Sequence, residues 1–525
     1  MAVLTSFAVY TSLLFSIALA APAPAKHISL PRQPPSSAVV VPKDLVSLSI
    51  EFKRLPKYAG DTKSPNTFSL NLLNNLKQVT GVFPVCRVGG NSQDDAIYNA
   101  TQSDPEVDLP IPPGYIRQPA SIGASFFDSY RVWPAKFIAG IDLARNDSIG
   151  VESVNKFTEL SCKALGKNLF MWESGNEPDQ YASNWGRRDP TFWTIENYVA
   201  QWKNYSSKVQ DQVAKSCPQL RKSSSFFGPS MAGINSDPDG FGPVGAFVHG
   251  IDSNPKTPIQ QISTHNYAGG AGLPGVSLQA TLMNHTAIMN NIQGHLNIRS
   301  ILASDGFKMP FTIGETNSLF GGGASGTSNT YGAGLWTADY SLWIGSVGIQ
   351  RVQFHQSYGA AYSAWNPVEI GSSGPPATLA PYYGKIFAAK FIGSDSNAKI
   401  ANIPIAGTDG LESMYAAYGR SGLERIAILN LKLYNSTDST STRDSRTYSV
   451  QLPQSNSNVR LERLQAAGAD VTSGITFGGY SYDYALGNGK PVKVKSSNGV
   501  TTQKVKGSAL SVTVADSEAL LVTIL

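Results

Sequence analysis

Residues 169–178 read Leu-Phe-Met-Trp-Glu-Ser-Gly-Asn-Glu-Pro. The first four are apolar and suit a buried strand, and the Gly-Asn-Glu-Pro that follows is a turn. Asn176 and Glu177 therefore fall at the carboxyl end of that strand. Similar short apolar runs recur on both sides, at 45–52, 83–88, 137–143, 225–227, 259–264, 311–314 and 349–354. Helical stretches with i, i+3/i+4 apolar spacing lie between them, notably 193–214, 278–302 and 331–344. Eight strands alternating with helices predict a (β/α)8 TIM barrel over 44–394, with an open doubly wound α/β sheet as the alternative. The pattern changes near residue 395. Short alternating segments with Gly, Ser and Asn turns follow, at 424–431, 446–452, 459–464, 492–495 and 510–525, with no helical period. They predict a C-terminal antiparallel β-sandwich domain over 395–525. Residues 21–43 form a Pro/Ser/Ala-rich N-terminal segment and a candidate edge strand of that sandwich.

Composition narrows the function. Hydrophobic residues make up 41% of the 525 residues and charged residues only 15%. That excludes a coiled coil or a charged disordered tail protein. The net charge is +5 and the isoelectric point about 8.8, yet no Lys/Arg run forms a patch. Nucleic acid and anionic membrane are not expected partners. The oligomeric state is not legible.

Residues 1–20 carry no charged side chain and end in Ala-Leu-Ala, the pattern of a cleaved secretory signal peptide. A secreted, extracellular glycoprotein is expected. Five N-x-S/T sequons agree with export: Asn99, Asn146, Asn204, Asn284 and Asn435. Three cysteines allow one disulfide at most. Cys162 and Cys217 lie in helix-like segments on either side of a strand and are the candidate pair. Cys86 lies in an apolar strand and reads as a buried thiol.

The chemistry rests on two carboxylates. Glu177 follows the fourth strand and Glu315, in Gly314-Glu315-Thr316-Asn317, follows the seventh. In a parallel barrel both then point to one mouth. Two carboxylates across a cleft are what glycoside hydrolysis needs: one protonated to give a proton to the leaving oxygen, one ionised to attack the sugar. Glu173 sits within the fourth strand and is expected to hydrogen-bond inside the barrel.

Several stretches in order resemble a known group. They are Leu48-Ser49-Ile50-Glu51-Phe52, Arg87-Val88-Gly89-Gly90-Asn91-Ser92, Gly175-Asn176-Glu177-Pro178, His265-Asn266-Tyr267, Gly314-Glu315-Thr316 running to Gly321-Gly322-Gly323, and Gly359-Ala360-Ala361-Tyr362. The chain resembles glycoside hydrolase family 79 of clan A, the β-glucuronidases and heparanase. The resemblance implies Glu177 as acid/base and Glu315 as nucleophile. It implies Asn176 on the sugar 2-hydroxyl, Tyr267 on the nucleophile, and Glu51 and Asn91 on other hydroxyls. The amides of Gly321 and Gly322, with Tyr362, would hold the uronic carboxylate. Consecutive backbone N–H groups in a glycine loop form an anion-binding concavity, so that role is physically reasonable. Glu51 stands where heparanase has aspartate, and Asn91 where it has threonine. The chain also lacks heparanase's excised linker and basic clusters. These departures favour an exo-acting β-glucuronidase.

Other signals are weaker. Gly270-Ala-Gly-Leu-Pro-Gly275 has the glycine spacing of a nucleotide loop but contains Pro274 and lacks the acid some 20 residues on. Gly228-Pro-Ser-Met-Ala-Gly233 misses a nucleophile elbow by one residue. The six histidines show no metal-ligand spacing, so no metal or other cofactor is expected. His265 and His355 end strands and are candidates to line the pocket. Trp185, Trp336 and Trp365 are candidate sugar platforms or core residues. The combined reading is a retaining exo-glycosidase releasing terminal β-linked glucuronic acid, or its 4-O-methyl ether, from glycans or glycoconjugates. The alternatives are a clan A enzyme for a neutral sugar, such as a β-glucosidase or β-xylosidase, and an inactive carbohydrate-binding protein.

Overall fold

The computed structural model describes residues 26–525 except 113–116, 183–186, 372–373, 439, 441 and 495–498. The expected leader and Trp185 lie outside the described residues. Eight parallel strands close into a barrel: β1 (Val46–Glu51), β2 (Cys86–Gly89), β3 (Phe137–Ile141), β4 (Leu169–Ser174), β5 (Phe226–Met231), β6 (Ile259–Gly270), β7 (Phe311–Phe320) and β8 (Val352–Gln356). β8 closes on β1 in register from Val352↔Val46 to Gln356↔Ile50, so the sheet has no open edge. The doubly wound alternative is excluded.

Among the described residues seven α-helices of six or more residues wrap the barrel: α1 (Thr67–Thr80), α2 (Ser148–Leu165), α3 (Ile195–Ser216), α4 (Pro243–Val248), α5 (His285–Ser304), α6 (Tyr331–Ser346) and α7 (Ala380–Ile392). Their starts are written in the sequence. Asn66, Asp147, Thr194 and Asn284 each accept a backbone N–H of the first turn of α1, α2, α3 and α5. The stretch 278–302 is accordingly not one helix. A π turn (Leu278–Leu282) precedes α5, and Asn284 caps the new start. The crossover after β2 has no α-helix among its described residues. It carries a small three-stranded sheet (Ala96–Tyr98, Glu106–Asp108, Ala120–Ile122) and a 3-10 stretch, Ala124–Arg131. Pro105, Pro110, Pro112 and Pro119 lie in it, and a helix interior cannot spare their missing N–H groups.

The barrel interior is layered by the period of two along each strand. At its base Val85, Ile138, Met171 and Phe227 form a separate apolar plug. Two residues further along three of those segments the positions become Arg87, Gly140 and Glu173, all buried. The core thus turns from apolar to charged as it approaches the mouth. A disulfide joins Cys162 of α2 to Cys217 at the end of α3, and Cys86 is a buried free thiol.

The C-terminal unit is a two-sheet antiparallel sandwich with an N-terminal contribution to each sheet. In one sheet Lys26–Ser29 pairs in parallel with Ser445–Gln451, which pairs antiparallel with Ala509–Ala515. In the other, Val39–Val40 pairs with Lys399–Asn402, followed by Glu412–Gly419, Gly422–Asn430, Glu518–Ile524 and Asn458–Gln465. The run 510–525 is therefore two strands in different sheets, broken at Asp516 and Ser517, where Ser517 takes a left-handed φ of 55°. A short helix, Tyr484–Gly487, interrupts a region that reads as helix-free. Met414, Ile426, Ile428, Tyr448, Val512 and Leu520 are among the residues filling the space between the sheets. Against the barrel the sandwich is pinned by a buried polar node. Asp339 of α6 accepts from Ser413 Oγ at 2.7 Å and Tyr415 OH at 2.5 Å, and lies 2.9 Å from His285 Nδ1.

Candidate active site

The strand β4 ends at Ser174, and the turn that follows is closely packed. Gly175 has φ +80°, and a Cβ there would lie 2.8 Å from Leu143 atoms and 2.9 Å from the Tyr181 hydroxyl. Only glycine fits. The Gly175 and Asn176 amides donate to Ile141 O and Asp94 Oδ2, and the Glu177 amide donates to Ser230 O. These bonds hold Glu177 at φ 48°, ψ 57°, a left-handed conformation that a glutamate adopts at a cost of order 1–3 kcal/mol. Strain of this kind collects where a side chain must be aimed rather than relaxed.

Glu315 is approached differently. It lies inside β7, paired with His265 of β6, because both strands run beyond the apolar runs 259–264 and 311–314 to Gly270 and Phe320. Polar residues continue the strands here because these segments line the mouth. Arg87 Nη1 donates to Glu315 Oε2 at 2.5 Å, and Tyr267 OH donates to Oε1 at 2.8 Å. One carboxylate oxygen of Glu177, one of Glu315 and a ring nitrogen of His265 lie within 4.8 Å of one another.

The two carboxylates are driven apart in acidity. Burial pushes Glu177 well above the ordinary carboxylate range, and the negative charge of Glu315 pushes it further. Burial would raise Glu315 too, but His355, Arg87 and the Tyr267 hydroxyl outweigh it and hold Glu315 well below that range. His265, whose Nδ1 lies 2.9 Å from Glu177 Oε1, is pulled by burial down to about 4 and is neutral at physiological pH. The positive field on Glu315 at neutral pH therefore comes from Arg87 and His355. His355 is itself raised. Burial opposes its charge, but Glu315, with Nδ1 3.6 Å from Oε2, and Glu51, 3.2 Å from Nε2, more than offset that. A protonated and an ionised carboxyl side by side can act as acid and nucleophile.

Both open into a cavity of about 870 Å3. Of the residues singled out in the sequence, Glu51, Asn91, Glu177, Tyr267, Glu315, Gly321, Gly322 and Tyr362 line it, as do His265 and His355. Glu51 accepts from the Ser92 amide at 2.8 Å and the Ser92 hydroxyl at 2.5 Å. Burial raises its pKa, but His355 and Ser92 outweigh that and lower it on balance. Gly321, Gly322 and Gly323 all have positive φ, of 80°, 89° and 78°, a backbone path that other residues would resist. Asn176 is fully buried behind this surface. Its Oδ1 accepts from Arg87 Nη2 at 2.7 Å and its Nδ2 donates to Asn91 Oδ1 at 3.0 Å, so Asn91 stands between it and the cavity.

Trp336 and Trp365 are not platforms. Both are fully buried, Trp336 stacked on Tyr340 at 4.7 Å and Trp365 donating to Ser69 Oγ at 2.8 Å. Glu173 lies inside the barrel, accepting from Arg87 Nε at 2.6 Å and from Ser230 Oγ at 2.5 Å. Arg87 was quoted in the sequence only as part of a motif, though a lone cation in an apolar strand is itself a signal. Arg117, Gln180, Ile234, Asn291 and Phe320 also line the cavity and come from loops, strand ends and one helix with no local signature. The Glu177, His265 and Glu315 donor atoms are close enough to hold a cation, but Arg87 already supplies positive charge 2.5 Å from Glu315. Asn146 and Asn204 are exposed, while Asn99, Asn284 and Asn435 are partly covered. No described helix is long and apolar enough to cross a membrane.

Residues 414–521 match the glycosyl hydrolase family 79 C-terminal β domain. A β-glucuronidase of Aspergillus niger is 39% identical over 501 residues, covering 91% of this chain and 89% of its own. A β-glucuronidase of Neurospora crassa is 36% identical over 514 residues, covering 90% and 89%. Among solved structures, a 4-O-α-L-rhamnosyl-β-D-glucuronidase from Fusarium oxysporum, in complex with Rha-GlcA, superimposes with a TM-score of 0.74. It is 25% identical and covers 95% of this chain and 100% of its own. An α-L-arabinofuranosidase from Thermotoga maritima shares the fold alone, with a TM-score of 0.60 and 13% identity over 95% and 100% of the two chains. A barrel with two facing carboxylates, a matching C-terminal domain and relatives along nine-tenths of its length place this chain in glycoside hydrolase family 79.

Proposed function

We propose that this glycoside hydrolase is a secreted β-glucuronidase that releases terminal β-linked glucuronic acid, or its 4-O-methyl ether, with retention of configuration. The observation that carries the reading is the approach of the Glu177 and Glu315 oxygens to within 4.8 Å, in surroundings that raise the pKa of the first and lower that of the second. Retaining pairs stand ~5–5.5 Å apart, whereas inverting pairs leave ~6.5–9.5 Å for a water. Glu315 attacks the anomeric carbon, and the departing oxygen takes the proton of Glu177. The Glu315 ester is then displaced by a water whose proton returns to Glu177. Two inversions give net retention.

The uronic acid is supported by the family's named relatives and by the Gly321–Gly322 backbone at the cavity wall. Glu51 and Asn91 are assigned to sugar hydroxyls, with Asn176 assigned to the 2-hydroxyl and hydrogen-bonded to Asn91 in front of it. The Fusarium relative's ligand is a glucuronide substituted at O4, which supports tolerance of the 4-O-methyl group. The test compares chromogenic β-glucuronide, β-glucoside and β-xyloside. Preference for the glucuronide, lost in Glu315→Gln with the fold intact, is expected; preference for either neutral sugar overturns the assignment.

A further inference from the structure

The cavity is larger than one sugar needs. At about 870 Å3 it lies near the top of the ~300–1,000 Å3 range that takes drug-sized ligands, several times the volume of a pyranose. Part of it is built to be apolar beside the acid. Asp179 lies two residues beyond Glu177, and its carboxylate accepts the Ala232 amide at 3.1 Å and the Gly233 amide at 2.8 Å. Two backbone N–H groups of that loop are thereby bound to Asp179. What the loop presents to the cavity is Ala232, Gly233 and the side chain of Ile234, a large hydrophobic left 41% exposed.

The seat of Ile234 is equally specific. Gly294 lies in the middle of α5, where glycine costs about 1 kcal/mol relative to alanine. Its φ is not left-handed, so backbone geometry does not call for it. A Cβ at 294, however, would lie 2.1 Å from Ile234 Cδ1. Glycine lets the tip of the Ile234 side chain, at the cavity wall, pack closely on the helix, and a larger residue at 294 would displace it. Gln180 and Arg117 line the same cavity and supply polar edges.

We propose that Ala232, Gly233 and Ile234, seated on Gly294, form a leaving-group subsite that takes a flat face of low polarity. That chemistry belongs to the C–H face of a neutral pyranose or to an aromatic ring. The inference rests on the glucuronidase reading above, because the group bound here is the one Glu177 protonates.

The experiment measures kcat/KM of Ile234→Ser on 4-nitrophenyl β-glucuronide and on a glucuronosyl-hexose disaccharide, together with Ki for free glucuronic acid, which occupies the sugar position only. A fall of about tenfold with one or both substrates and an unchanged Ki is expected, and the substrate that suffers identifies the source of the flat face. Gly294→Ala supplies the second arm. It should raise KM for the same substrate in the wild-type background but not in Ile234→Ala, where it should raise the Tm instead. Unchanged kcat/KM on both substrates, or a Ki that worsens in step, overturns the subsite. Failure of the wild type to cleave any β-glucuronide overturns the functional reading itself.

Discussion

Arg87 Nη1 donates to Glu315 Oε2 at 2.5 Å while its Nε donates to Glu173 Oε2 at 2.6 Å, all three side chains being buried. One guanidinium thus binds Glu315 and a second carboxylate, Glu173, and its Nη2 holds Asn176. Glycines make the room. A Cβ at Gly89 would lie 2.5 Å from Arg87 Nε and 2.7 Å from Glu173 Oε2.

Removing Arg87 strands two buried carboxylates. Arg87→Met should destabilise by roughly 3–5 kcal/mol, the usual result of breaking a buried pair from one side. Without that charge Glu315 becomes harder to ionise, so the acidic limb of the kcat/KM profile should move to higher pH. Arg87→Met with Glu173→Met should recover much of the stability and none of the activity, as denaturant melts and steady-state rates will read.

The acidity of Glu177 depends in part on the charge of Glu315, after burial. Glu315→Gln should lower the Glu177 pKa, read by carboxyl NMR titration. An unchanged value would mean that burial and the Asp179 charge set it without Glu315. The sign also bears on stability. A carboxyl raised in the fold weakens it as pH climbs above the ordinary carboxylate range, because the unfolded chain ionises first. Glu177→Gln should therefore raise the Tm at neutral pH while abolishing turnover of substrates with poor leaving groups.

Lys385 of α7 is buried with its Nζ 3.3 Å from the centre of the Phe354 ring and no hydrogen-bond partner among the described residues. Burial holds its pKa well below that of a free lysine. Between its lowered folded value and the unfolded value of roughly 10.4 the unfolded chain binds a proton that the folded one does not, so this group costs stability until pH rises past the unfolded value. Lys385→Met should raise the Tm at pH 6–7, with the gain shrinking toward pH 10; an undiminished gain at high pH would point to packing instead.

The Cys162–Cys217 disulfide closes a sequence separation of 55 residues on the barrel's outer layer, away from the cavity. Chain entropy for such a loop amounts to about 4 kcal/mol at most. Cys162→Ser with Cys217→Ser should lower stability by about 2–4 kcal/mol and leave kcat/KM on the chromogenic glucuronide unchanged.

The eight strands were legible because each is a short apolar run between turn signals, and the helical stretches because their apolar spacing is local. The β2 crossover, the break at Asn284 and the switch between sheets at Asp516–Ser517 were read less well, since each depends on a proline cluster, a single cap or one left-handed residue. Glu177 and Glu315 were legible from strand position. Arg87 was quoted but not assigned, and Ile234 passed unremarked, because nothing within a few residues of either shows what it will face.

The order of strands and helices, the positions of the two glutamates and the glycine loop were determined by the amino-acid sequence alone, through periodicity and turn chemistry that act over a handful of residues. How far the acidities of the two carboxyls are driven apart was decided only by the closed barrel. That outcome depends on burial and on charges brought from β2, β7 and β8 to within a few ångströms, and Coulomb interactions at that range follow distance in space, whatever the separation along the chain.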